Sequence, residues 1–125
     1  MTLKPPNGIF SLPIFHNAYQ FLLLVSQDIA RFPKKDRYTF GGRIYSVTLD
    51  IVVLLFRANA VRGDRRILTL REVSISLDLL KILIRAAKDI RAIPEKRYIV
   101  LQEKLQEIGQ MLGGWIKSLE TRNPA

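Results

Sequence analysis

Few of the side chains that enzymes use for catalysis occur in this sequence. It has no cysteine and a single histidine, His16, which excludes a thiolate nucleophile and a zinc site built from cysteines or from several histidines. The 11 acidic residues are scattered among basic ones, without the spacing of a metal-binding motif. Gly41-Gly42 lacks the lysine that a phosphate-binding P-loop carries at a fixed offset. The sequence therefore predicts no enzyme, no metal site and no cofactor.

Basic side chains are the chemistry that the sequence does offer. It has 20 lysines and arginines against 11 acidic residues, a formal net charge of +9. Residues 31–66 hold nine of the basic residues and three of the acidic ones. A surplus of this size on a small domain points to a polyanion, because guanidinium groups bind phosphate oxygens through paired hydrogen bonds. Any single lysine or arginine is equally well explained by the solvation of an exposed face.

The helices that must position these cations follow from the spacing of apolar residues, which recur at steps of three and four. The four predicted helices cover about residues 13–31, 37–61, 69–91 and 94–121. Pro13 and Pro94 suit the first turns of the first and last helices, and Ser11 is close enough to help cap the first. Residues 1–12 are expected to form an arm that does not join the core. Four long helices with short connections predict one all-α domain, an antiparallel up-down-up-down four-helix bundle over residues 13–122.

The second and third predicted helices carry two apolar lines each. The second contains β-branched residues that favour strands, but its apolar residues recur at helical steps. A helix in a small isolated bundle has one apolar face and one solvated face, so the second line needs a second partner. A broad core face would explain it, but we favour the subunit interface of a homo-oligomer. The residues assigned to that interface are Tyr45, Leu49, Val52, Phe56, Ile75, Leu79 and Ile82.

The predicted topology gathers the cations at three places. One polar line of the third helix holds Arg71, Lys81, Arg85 and Lys88. The first and third connections meet at one end of the bundle and would cluster Arg31, Lys34, Lys35, Arg37, Arg91, Lys96 and Arg97. The opposite end gathers Arg62, Arg65 and Arg66. These residues form the predicted nucleic-acid interface, and since few aromatic residues interleave with them, we expect recognition of phosphates and shape rather than base stacking.

No segment is predicted to cross a membrane. The longest apolar run, residues 51–56, is far shorter than the roughly 20 residues that span a bilayer as a helix. The N-terminal residues do not resemble a secretion signal. Two apolar lines beside a narrow polar one are also unlike a helix that lies on a membrane surface. The expected location is the cytoplasm.

A run in the last predicted helix resembles a known family. The run is EIGQMLGGWIK at residues 107–117. Together with LLKILIR at residues 79–85 and FPKK at residues 32–35, it resembles the accessory variability determinant proteins of diversity-generating retroelements. The likeness covers about residues 13–120. The FPKK turn is also similar to the broader family of four-helix proteins encoded by intervening sequences in ribosomal RNA genes, but the NIAEG motif of that branch is absent from residues 54–58.

The resemblance implies a function as well as a fold. It implies a pentameric, barrel-like assembly of four-helix bundles with a positively charged surface. It also implies a non-catalytic accessory protein that binds the reverse transcriptase of the element and its template RNA or DNA, and that supports mutagenic complementary-DNA synthesis. The alternative is a structural oligomer of the intervening-sequence type that binds nucleic acid without specificity.

Three residues of the run in the last helix also have a structural interpretation. Gly109 and Gly113 lie one turn apart and would let another helix approach closely. Each glycine lowers the stability of the helix by about 1 kcal/mol relative to alanine. Trp115 is expected to lie in the core.

Overall fold

A computed structural model describes residues 7–122 of the chain, and every regular element within that range is a helix. The elements are α1 (Asn7–Phe10), α2 (Pro13–Ala30), α3 (Lys34–Arg37), α4 (Phe40–Ala60), α5 (Asp64–Asp89) and α6 (Glu95–Arg122). The long helices α2, α4, α5 and α6 correspond to the four that the apolar spacing predicts. The all-α fold class is therefore confirmed.

One hydrophobic core fills the space between the long helices. α4 and α6 each pack against both α2 and α5, so every long helix contacts two neighbours. The core line predicted for α5 is buried, with Leu80 at its centre. On α4 the fully buried leucine is Leu55, and Leu54 beside it packs against the core from its edge. Trp115 is likewise only partly buried.

Side-chain contacts fix which helix ends lie together. Asp28, near the end of α2, accepts hydrogen bonds from Arg97, near the start of α6. Asn17, near the start of α2, donates a hydrogen bond to the sulfur of Met111 in the second half of α6. The end of α2 therefore lies beside the start of α6, and the two connections before α3 and α6 are close in space.

The expectation that the N-terminal arm stays outside the core is wrong for its described part. Ile9 of α1 is buried among the core residues. Phe10 makes edge-on ring contacts with Phe15 and Tyr19 of α2. Burying an aliphatic side chain contributes about 1.5–3 kcal/mol, which explains why this single turn folds onto the bundle. The rest of the arm lies outside the described residues.

The start of α2 differs in detail from the sequence prediction. Pro13 occupies the first turn as predicted, but the N-cap residue is Leu12, which makes no side-chain capping bond. The Ser11 hydroxyl instead donates a hydrogen bond to the carbonyl of Gly8. Ser11 therefore closes the turn before α2 and does not cap the helix.

The start of α5 also differs, since the helix begins at Asp64 and not near residue 69. Gly63 has a φ of 63°, a left-handed conformation that glycine adopts without steric cost. The chain can therefore turn sharply and start α5 at once, with the Asp64 carboxylate in the first turn, where it favours the helix dipole.

The glycines of α6 do not bring two helices of the bundle together. A Cβ at Gly109 would lie 3.4 Å from Leu77 Cδ2, an ordinary contact, and a Cβ at Gly113 would have no neighbour within 4 Å. Both glycines line an open groove between α5 and α6. The prediction of close helix approach is wrong for Gly113, because the groove keeps α5 away from it.

Candidate nucleic-acid interface

The connections before α3 and α6 form a basic cleft at one end of the bundle. Arg31 from the first connection and Arg91 from the second line this cleft, together with Lys88 from the last turn of α5. Its volume is about 570 Å³, and Glu95 is the acidic residue on its wall. We call this feature the end cleft. It brings together cations that lie far apart in the sequence.

Both connections that line the end cleft are anchored in the core. Phe32 and Ile93, one in each connection, are buried. Pro33 follows Phe32 as the N-cap of α3, and Pro94 follows Ile93 immediately before α6. Proline fixes the backbone φ angle, so two anchored side chains and two prolines restrict the motion of both connections. The cations of the cleft are therefore carried on a rigid support.

Arg97, predicted to bind nucleic acid, is instead part of an internal ion pair. Its Nε and Nη2 atoms donate hydrogen bonds of 2.8 and 2.9 Å to the two carboxylate oxygens of Asp28. The side chain of Asp28 is 3% exposed. The hydrogen bond that Arg97 donates to Asp28 raises the pKa of Arg97 above its ordinary value, against the opposing effect of burial. The structure therefore gives this guanidinium a structural role.

Arg66, at the opposite end of the bundle, also serves the fold. Its Nε donates hydrogen bonds of 2.9 Å to the carbonyls of Ala58 and Val61. Its guanidinium carbon lies 5.9 Å from the centre of the Trp115 ring. Arg66 thus satisfies carbonyls that the end of α4 leaves without helical partners. Arg62 and Arg65 beside it are exposed.

The remaining predicted cations near the end cleft serve either the fold or the exposed surface. Arg37 Nη2 donates a hydrogen bond to the carbonyl of Phe32 at 3.3 Å, and Arg37 is partly buried. Lys34, Lys35 and Lys96 are exposed and form no ion pair with any residue of the described range. The three lysines remain available to a polyanion.

The predicted line of cations on α5 is engaged by weak surface contacts. Arg71 pairs with Glu120, and Arg85 Nε lies 3.7 Å from a carboxylate oxygen of Asp89. Exposed ion pairs of this kind contribute only ~0–1 kcal/mol, so a phosphate can compete for either arginine. Lys81 lines the groove between α5 and α6.

Most of the second apolar line is exposed, as a subunit interface requires. Ile75 and Ile82 of α5 are 71% and 65% exposed, and Phe56 of α4 is 54% exposed. The other exposed members of the predicted set are Tyr45, Leu49 and Leu79. Val52 is the exception, because it packs against the core.

Two residues of this surface were missed by the sequence prediction. Val53 and Leu68 are exposed. Val53 lies four residues after Leu49 and three before Phe56, and Leu68 lies seven residues before Ile75, so helical spacing could have found both. On α5, Ser74 and Lys81 line the groove beside α6, and Ile75 and Ile82 each follow one residue later on the exposed surface.

One segment of the described chain, Lys34–Ala60, is long and apolar enough to cross a membrane by length and composition alone, with a mean hydropathy of 1.5. This is weak support for a membrane span, since the core helix of a soluble protein meets the same test. α4 contributes buried residues to the core of the bundle, which accounts for its apolar composition.

Residues 7–122 contain no group of three or more histidine or acidic side chains placed to hold a metal ion. A comparison with curated proteins finds no match. A comparison with protein-family models matches residues 15–119 to the family described as bAvd-like. The match covers all four long helices apart from their outermost residues. The resemblance to the accessory variability determinant (Avd) proteins is thereby confirmed, and the chain belongs to the bAvd-like family.

Proposed function

We propose that this chain is a non-catalytic accessory protein of a diversity-generating retroelement. In this proposal it binds template RNA or DNA and the reverse transcriptase in the cytoplasm, and supports mutagenic complementary-DNA synthesis. The observation that carries the proposal is the match of residues 15–119 to the bAvd-like family. The net charge of +9 supports a polyanionic partner independently of that match.

The nucleic-acid interface of this proposal is smaller than the set predicted from the sequence. It leaves out Arg37, Arg66 and Arg97, whose guanidinium groups bind the protein's own oxygens. It keeps the cations of the end cleft, the exposed lysines beside it, the weakly paired line on α5, and two exposed arginines at the opposite end of the bundle. The members are Arg31, Lys34, Lys35, Arg62, Arg65, Arg71, Lys81, Arg85, Lys88, Arg91 and Lys96.

The working unit of this proposal is a homo-oligomer of antiparallel four-helix bundles, and the family resemblance points to a pentameric barrel. The exposed apolar lines of α4 and α5 support self-association, since a soluble monomer rarely exposes large contiguous apolar patches. The contact between the end of α2 and the start of α6 supports the antiparallel arrangement.

The proposal is tested by co-expressing the chain with the reverse transcriptase and the template RNA of the proposed retroelement. We expect mutagenic complementary DNA only when the chain is present, and co-purification of the chain with the polymerase. Equal synthesis without the chain would contradict the proposal. Self-association and weak RNA binding without effect on synthesis would favour the alternative, a structural oligomer with non-specific binding.

A further inference from the structure

Arg91 occupies a backbone position that normally belongs to glycine. Its φ is 65°, and among residues 7–122 it is the only residue other than glycine with a positive φ. Its N–H donates to the carbonyl of Lys88 at 2.9 Å, and the N–H of Ala92 donates to the carbonyl of Ala87 at 2.8 Å. These two bonds form a Schellman motif, whose left-handed residue is usually glycine because glycine has no Cβ to clash.

Placing an arginine at this position has a cost. The left-handed conformation is disfavoured in residues with a Cβ. Strained residues of this kind persist where the surrounding structure enforces them, and they concentrate at functional sites. The Schellman bonds and the buried Ile93 enforce the turn here, but neither requires an arginine side chain. The strained position therefore indicates a function for the guanidinium group of Arg91.

The side chain of Arg91 lines the end cleft together with two other cations. Arg31 is the C-cap residue of α2. The ammonium of Lys88 lies 4.7 Å from the centre of the Tyr98 ring and 3.6 Å from an oxygen of Asp89, so it is held in place. Three cations and Glu95 leave the wall with a net charge of two positive units.

We propose that the end cleft is a phosphate-binding site, in which Arg31, Lys88 and Arg91 bind the non-bridging oxygens of a phosphodiester. Guanidinium groups suit this ligand because they donate two parallel hydrogen bonds, and the rigid connections hold their backbones in place before the ligand arrives. The site rests on the proposed function, since the phosphate is taken to belong to a nucleic-acid strand. A small phosphate compound would offer the same chemistry, and the test separates the two sources.

The test compares two double variants of the full-length protein that each remove two positive charges. Arg31→Gln with Arg91→Gly removes two of the three cations of the end cleft, whereas Lys104→Gln with Lys117→Gln removes two exposed lysines of α6 outside it. The probe is a fluorescein-labelled single-stranded RNA of mixed sequence, titrated by fluorescence anisotropy at several KCl concentrations. We expect the cleft variant to bind at least tenfold more weakly than the lysine variant, a difference of about 1.4 kcal/mol, because it loses paired guanidinium hydrogen bonds to phosphate as well as positive charge.

Single changes at Glu95 and Arg91 should shift RNA binding in opposite directions. Glu95→Gln removes the acidic group of the cleft and should strengthen RNA binding more than Glu103→Gln, which removes an equal charge from an exposed site on α6. Arg91→Gly alone should raise the unfolding temperature, since it relieves the strained φ, and yet weaken RNA binding. A merely structural role for Arg91 would change stability without changing affinity.

The outcomes separate this site from the function on which it rests. If the unaltered protein does not bind the RNA at low salt, the proposed function fails. If the unaltered protein binds but the two double variants have equal affinities, the assignment of the end cleft as a phosphate-binding site is overturned, while the proposed function stands. A third outcome concerns inorganic phosphate at a concentration below that of KCl. If it displaces the RNA from the unaltered protein but not from the cleft variant, the ligand of the cleft is a small phosphate compound. That result overturns the assignment to nucleic acid.

Discussion

Individual arginines of this chain serve either the fold or the surface, depending on which oxygens their guanidinium groups meet. Arg97 meets the buried carboxylate of Asp28, and Arg66 meets backbone carbonyls at the end of α4. Arg31 and Arg91 face an open cleft instead. Composition and spacing assign all four arginines to the nucleic-acid interface, because every arginine carries the same charge. Only the folded positions of their oxygen partners distinguish them.

Removing Arg97 is predicted to destabilise the bundle strongly. Arg97→Ala leaves the 3% exposed carboxylate of Asp28 without its cationic partner, and breaking a buried pair in this way costs about 3 kcal/mol. The measurement is the free energy of unfolding from urea titration. Replacing both partners by leucine is the control, since an apolar pair is expected to restore most of the stability. Equal destabilisation by the single and the double change would contradict this interpretation.

The same ion pair predicts a simple pH dependence. Asp28 raises the pKa of Arg97, so the folded state holds this proton more tightly than the unfolded state. The resulting stabilisation is complete below the ordinary pKa of arginine and is lost only when the pH rises through the raised value. The difference in unfolding free energy between the unaltered protein and Arg97→Ala should therefore stay constant from pH 7 to about pH 10. A loss of that difference within this range would contradict the assigned pair.

At the scale of helices, periodicity was a better guide than residue propensity. α4 contains β-branched residues, but Ile44, Val47 and Ile51 recur at helical steps and are buried together. The hydroxyl of Thr48 donates to the carbonyl of Ile44, so this polar side chain is satisfied inside the helix. Helix ends were less predictable, because α3 and the early start of α5 depend on local turns around Pro33 and Gly63.

The glycines of α6 give a prediction at this scale. An alanine Cβ at Gly113 or Gly114 would have no neighbour within 4 Å. Each change to alanine should therefore stabilise the helix of the monomer by about 1 kcal/mol. Gly41 is the matched control, since a Cβ there would lie 2.8 Å from Ile29 Cγ2, and Gly41→Ala should destabilise. Thermal unfolding of dilute protein measures all three. No gain at Gly113 and Gly114 would mean that another surface packs against them.

At the scale of the whole molecule, two surfaces remain without partners inside the bundle, one basic and one apolar. The sequence predicted that both exist, since the charge surplus and the second apolar line are visible as spacing. It misplaced their edges: Val52 packs inward whereas Val53 and Leu68 face outward. Adjacent side chains point about 100° apart around a helix, so placing Val52 rather than Val53 on the exposed line put the wrong side chain outward, although the steps of four and three from Leu49 to Val53 and Phe56 contained the signal.

The apolar surface predicts the assembly state. Ile75→Glu with Ile82→Glu places two charges on the exposed line of α5, where burial in a subunit interface would be unfavourable. We expect the double variant to keep its helical circular dichroism and to sediment as a monomer, whereas the unaltered protein sediments as an oligomer. Ile99→Glu, at an exposed position on α6 outside this surface, should leave the oligomer intact. A monomeric unaltered protein would contradict the proposed interface.

The salt dependence of RNA binding by the assembled, unaltered protein tests the central claim most directly. If cations of the bundle neutralise several phosphates, the logarithm of the association constant should fall linearly with the logarithm of KCl concentration, by roughly 0.7 for each phosphate contacted on a single strand. We predict a slope that corresponds to several phosphates. The slope should be shallower by about 0.7 when Arg31 and Arg91 are both replaced, since the two arginines contact one phosphate together. Absence of binding at low salt, or an affinity that does not change with salt, would contradict the proposal that this protein binds nucleic acid through its basic surface.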